Sequence, residues 1–77
     1  MLEHELKELF TESEFEAFKN FLRGHTVGIR DEEAYFYIYD IQIFVHWYFN
    51  GTGRLDEIMK IAVEKYPQLI GYKRENI

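Results

Sequence analysis

Few side chains in this sequence could do chemistry, and their spacing limits what that chemistry would be. Histidine stands at His4, His25 and His46, Ser13 is the only serine, and cysteine is absent. Nucleophilic catalysis needs a hydroxyl or thiol beside a base, with a third group orienting that base. Ser13 falls in what reads as the first turn of a helix, where a hydroxyl meets solvent or backbone. No two histidines have the spacing that puts two metal ligands on one helical face. The acids Asp31-Glu32-Glu33 read as a solvated turn without a pocket around it. "GTG" at residues 51–53 is short for a phosphate-binding loop, has only Arg54 as a nearby base, and reads as a helix–helix connection. The expectation is a protein that is not an enzyme, with no catalytic residue, no cofactor and no metal.

The remaining chemistry belongs to surfaces, and charge sets their character. Over 77 residues the formal net charge is −5. Residues 1–23 hold six acids and three bases, residues 24–50 hold four acids and one base, and residues 51–77 hold four acids and five bases. Binding to nucleic acid needs Lys and Arg to displace counterions, and an anionic membrane surface attracts the same residues. An acidic chain therefore points away from both. No basic, apolar leader opens the sequence, so no secretory signal is expected. The apolar run Tyr35–Phe49 is too short for a bilayer and is interrupted by Asp40, Gln42 and His46. A cytoplasmic protein without a membrane span is expected, and the lack of cysteine is compatible with a reducing compartment.

The elements that carry these surfaces can be read along the chain as a single compact domain over 1–77, α+β in class. Leu2, Leu6, Leu9 and Phe10 recur at helical spacing. In "FTESEF", Thr11 and Glu14 form a capping box, and Phe10 and Phe15 stand where a hydrophobic staple would join. A second helix is predicted over residues 12–23, with Phe15, Phe18, Phe21 and Leu22 inward and Gly24 as its stop. "TVGIR", "DEE" and "AYFYIY" then read as strand, turn and strand. Alternation on the second strand turns Phe36 and Ile38 inward and lines Tyr35, Tyr37 and Tyr39 along the other face.

Residues 41–50 admit two readings. Their composition favours a strand, but one strand from Tyr35 to Phe49 would far exceed the usual ~5–6 residues. As a helix, Asp40 caps the start, Asn50-Gly51 stops it, and Ile41, Phe44, Val45 and Tyr48 form one stripe. The helix reading is preferred here. "RLDEIMKIAVEKYP" follows as a helix with Leu55, Ile58, Met59, Ala62, Val63 and Tyr66 on one face, ended by Pro67. Leu69, Ile70 and Tyr72 should anchor the tail.

Two candidate surfaces result. One is acidic and built on Glu12, Glu16, Asp31, Glu32 and Glu33, suited to a basic protein partner. The other is aromatic and built on Tyr35, Tyr37, Tyr39 and Trp47. The expected function is a small acidic binding or regulatory protein acting through protein–protein contact. Its sharpest form is an inhibitor of a nucleic-acid-handling protein. Self-association as a homodimer is also expected, because a small core without disulfide or metal gains from a second subunit. The rival reading is a DNA-binding regulator with a helix-turn-helix over residues 41–66. There Arg54, Lys60, Lys65, Lys73 and Arg74 would meet phosphates, against the repulsion of Asp56 and Glu57.

Overall fold

The chain begins as an extended edge before it turns helical. In the computed structural model, which describes residues 1–23 and 28–70, Met1 lies antiparallel to Phe36. The Phe36 amide donates to the Met1 carbonyl at 2.7 Å, and the Met1 amine donates to the Phe36 carbonyl at 2.5 Å. Leu2 continues the pairing as an antiparallel bridge to Tyr35. Helix α1 then covers Glu3–Leu9, and the Glu5 carboxylate accepts the Leu2 amide at 2.8 Å.

Helix α2, Glu12–Leu22, starts as its sequence predicts. The Thr11 hydroxyl accepts from the Glu14 amide at 3.2 Å, and the Glu14 carboxylate accepts from the Thr11 amide at 2.8 Å. Its chain reverses at Arg23, whose φ of 52° is left-handed. The predicted stop at Gly24 lies outside the described residues, as do His25, Tyr72, Lys73 and Arg74.

A short antiparallel hairpin follows, with β1 at Gly28–Arg30 and β2 at Glu33–Tyr35. Arg30 pairs with Glu33, so the turn is two residues, Asp31 and Glu32, rather than the three expected. Both have positive φ, 53° and 64°. A two-residue hairpin turn of this hand favours Asn-Gly, because left-handed backbone strains a side chain. Replacing Asp31-Glu32 by Asn-Gly should therefore raise stability by about 1 kcal/mol. The readout is the urea midpoint, and an unchanged or lower midpoint would refute the strain.

The second strand is shorter than predicted. It stops at Tyr35, Phe36 is used by Met1, and helix α3 runs over Ile38–Tyr48. The segment after Asp40 is thus helical, as preferred, but the helix starts three residues earlier than Asp40 as a cap would allow. Tyr37 occupies the cap position with no side-chain bond, and Asp40 sits in the first turn, where an acid suits the helix dipole. Helix α4, Gly53–Lys65, follows a turn at Gly51, whose φ is 78°, and a 3₁₀ turn η1, Pro67–Leu69, closes the described chain. The order helix, helix, hairpin, helix, helix is the α+β architecture expected from the sequence.

One continuous core joins residues from Met1 to Leu69. Phe18, Phe44, Leu6, Leu9, Ile41 and Ile58 are its largest fully enclosed side chains. Phe44 is the ring around which the others gather: Phe18 lies at 5.1 Å, Phe21 at 5.4 Å, Phe10 at 5.8 Å and Phe49 at 5.9 Å between centroids. Such edge and tilted pairs contribute beyond the area they bury. The packing outweighs the weak helix propensity of "IYDIQIFVHWY", since an amphipathic face against a core supplies most helical stability in proteins.

Two inward assignments are corrected. Tyr48 is half exposed and Phe49 takes the buried place, because α3 ends at Tyr48 and the chain turns inward after it. Val63 lies on the solvent side of α4; only Ile58 and Ala62 are buried within that helix, with Tyr66 just beyond its end. Gln42 ties η1 back to α3 by donating to the Leu69 carbonyl at 2.7 Å.

Candidate protein-interaction site

Folding disperses the acidic surface. Glu33 sits on β2, where it accepts the His4 amide at 3.0 Å and the His4 ring Nδ1–H at 2.9 Å. The bond to Glu33 raises the His4 pKa above its ordinary value, and the same bond holds Glu33 below the usual carboxylate range. A raised folded-state pKa contributes stability below the ordinary histidine pKa of 6.5, and that contribution disappears as pH rises through the folded value. An NMR titration should place His4 above 6.5, and Glu33→Gln should return it towards 6.5. No change on that substitution would refute the pairing.

Glu12 and Glu16 project from α2 into a shallow groove of about 320 Å³ shared with Glu3, Lys7, Lys19, Phe10 and Phe15. The groove is of mixed charge rather than acidic. Lys7 pairs with Glu3 at 3.1 Å and Lys19 with Glu16 at 3.0 Å. Both ammonium groups also stand over the Phe15 ring, at 5.6 and 5.1 Å. Asp31 and Glu32 occupy the hairpin tip, and no contact among the described residues joins them to Glu12 or Glu16. The five expected acids therefore lie on three separate elements.

The tyrosine ladder does not exist as one face. Tyr35 is on β2, Tyr37 is at the α3 cap and Tyr39 is inside α3. Tyr35 and Tyr37 meet edge to face at 5.8 Å, and the Arg30 guanidinium covers the Tyr35 ring at 4.2 Å. Tyr35 is half-buried there rather than presented to a partner.

Tyr39 and Trp47 instead share the outward side of α3. With 3.6 residues per turn, positions 39, 43 and 47 form one stripe. Tyr39 is 67% exposed, Ile43 40% and Trp47 64%, with Tyr48 at 45% beside them. The Trp47 ring stacks on Phe21 at 5.7 Å, and Phe44 stacks on Tyr48 at 4.8 Å, so the stripe rests on the core. An open groove of about 410 Å³ between α2 and α3 borders it, lined by Ala17, Asn20, Phe21, Arg23, Trp47 and Tyr48. Ile43 is a residue that sequence reasoning missed. The four-residue spacing would have revealed it once the helix was extended back to residue 38.

A second arrangement had no local signal at all. Arg54, at the start of α4, donates through Nε and Nη2 to the two Glu14 oxygens at 2.9 and 2.8 Å, and through Nη2 to the Leu9 carbonyl at 2.7 Å. Its Nη1 reaches Glu57 at 3.2 Å. Burial alone would raise the Glu14 pKa, but Arg54 and the Thr11 amide outweigh it and leave the carboxyl below its ordinary value. Nearby, burial and the bond to Glu8 at 2.6 Å push the Tyr66 phenol up to about 12. These bonds fasten α4 and the start of η1 to α1 and the α1–α2 corner.

Among the described residues, no group of three or more His, Asp or Glu side chains is arranged to hold a metal ion. No helix among them is long and apolar enough to cross a membrane. No protein-family model, curated protein or solved structure matches the chain. The class defined by fold and site is a small acidic α+β protein with an outward aromatic helix face.

Proposed function

We propose that this chain is a small acidic, non-catalytic binding protein that acts through protein–protein contact, with the outward face of α3 as its docking surface. The observation that carries this reading is the exposed Tyr39–Ile43–Trp47 stripe. Contiguous exposed apolar surface with a polar rim marks interaction sites on small proteins, and Tyr and Trp are the residues enriched at interface centres. Asn20, Arg23, Asp40 and His46 provide the rim. Glu12, Asp31 and Glu32, without ion-pair partners among the described residues, would steer a basic partner more than they would hold it. A regulatory role in a cytoplasmic, reducing setting suits the cysteine-free chain.

The helix-turn-helix reading is less favoured on one observation. Arg54, its first phosphate contact, is engaged by Glu14, Leu9 and Glu57, so Asp56 is left as the acid of the first turn of α4 without a cation paired to it among the described residues. Phosphates are repelled there.

A photocrosslinking amino acid placed at residue 43, and as a control at exposed residue 60, tests the reading in host cells. A discrete crosslinked species from position 43 alone is expected. Equal or absent adducts from the two positions would sink it.

A further inference from the structure

The α3 stripe has an internal symmetry that names its occupant. Tyr39 and Trp47 stand four residues before and after Ile43, with exposed aromatic surface at both ends. A twofold interface must be self-complementary, since each copy offers the same patch. Antiparallel pairing of two α3 helices across Ile43 meets that requirement. Ile43 faces itself on the axis, and Tyr39 of each copy lies level with Trp47 of the other.

Charge supports the same arrangement. Asp40 and Trp47 are seven residues apart, so at 3.6 residues per turn they lie on nearly the same flank of α3. Antiparallel pairing brings Asp40 of one copy to the Trp47 end of the other. Arg23 lines the groove at that end, beside Trp47 and Tyr48. Neither Asp40 nor Arg23 has an ion-pair partner among the described residues. At ~150–250 Å² for a whole aromatic side chain, the exposed parts of Tyr39 and Trp47 amount to roughly 250 Å² per copy. Two copies, with Ile43 and the rim, fall in the small class of interfaces below about 1,200 Å² that form weak and reversible contacts.

We infer that the occupant of this face is a second copy of the chain, joined antiparallel through α3, with Asp40 of each copy against Arg23 of the other. The inference rests on the protein-contact reading and names its partner. An interface of this size suits weak, reversible association, and the expected dissociation constant is about micromolar or weaker.

Sedimentation of the full chain from low to hundreds of micromolar tests it. A reversible monomer–dimer equilibrium is expected, and Ile43→Lys should leave only monomer. Asp40→Arg and Arg23→Asp should each weaken the dimer about tenfold or more, and the two together should restore it. Circular dichroism checks that each variant folds, and the paired substitution serves as the internal control. A wild-type chain that is monomeric throughout, a dimer indifferent to Ile43→Lys, or a charge swap without rescue would overturn the inference. If the chain is monomeric yet residue 43 still crosslinks to a different protein, the dimer falls and the protein-contact reading survives. If residue 43 crosslinks to nothing, both fall.

Discussion

Phe44→Ala should destabilise the protein by about 3–5 kcal/mol, the cost of deleting an enclosed phenyl ring and leaving its cavity. A 77-residue chain at ~0.05–0.15 kcal/mol per residue has only about 4–12 kcal/mol in total. The variant should therefore be largely unfolded at body temperature at the lower end of that range. Phe44 is fully buried and contacts rings from α2, from its own helix and from the residues flanking both, so no single neighbour can collapse into the space. Phe44→Leu, which keeps most of the volume, should cost about half as much or less. Urea unfolding at fixed protein concentration measures both. Trp47, the only tryptophan, lies 6.2 Å from Phe44 and reports the transition by fluorescence. A Phe44→Ala variant within about 1 kcal/mol of the parent would show that the aromatic cluster is not the stabilising core.

Arg54→Met should cost about 2–3 kcal/mol, because it leaves the largely buried Glu14 carboxylate and the Leu9 carbonyl without their donor. Arg54→Lys should recover less than half of the loss. One ammonium cannot span two carboxylate oxygens and a carbonyl as a planar guanidinium does. The pH dependence has a definite sign. Glu14 has a depressed folded-state pKa, so its contribution is complete above the ordinary value of 4.5 and is lost as pH falls through the folded value. Glu8, lowered mainly by its bond to Tyr66, and Glu33, lowered by His4, act in the same window. Glu14→Gln should therefore flatten the loss of stability in acid without abolishing it. Equal midpoints for Arg54→Met and the parent at neutral pH would refute the role of the pair.

The elements of this fold were legible wherever a short-range signal set them. Thr11 and Glu14 are three residues apart, and their reciprocal bonds need only one helical turn to form. Gly51, with positive φ, separates α3 from α4 where the sequence places a break. Composition and alternation located the hairpin, and length argued that Tyr35–Phe49 could not be one strand.

Its surfaces depended on partners far along the chain. Helix α3 begins earlier than the sequence suggests, at Ile38, just after Phe36, whose backbone pairs with Met1 from 35 residues away on the edge of β2 opposite β1. That shift moved Tyr39 from a strand face to a helix face and brought it into line with Ile43 and Trp47. Val63 and Tyr48 fit the helical period, yet the period alone cannot say how wide a stripe the neighbouring elements will cover. Arg54 and Glu14 are 40 residues apart, and nothing near either predicts the other. The sequence by itself determined the order of elements, since caps, turns and periodicity act within a turn or two of the backbone. Only the tertiary structure decided which side chains remain outside, because exposure depends on what distant segments cover.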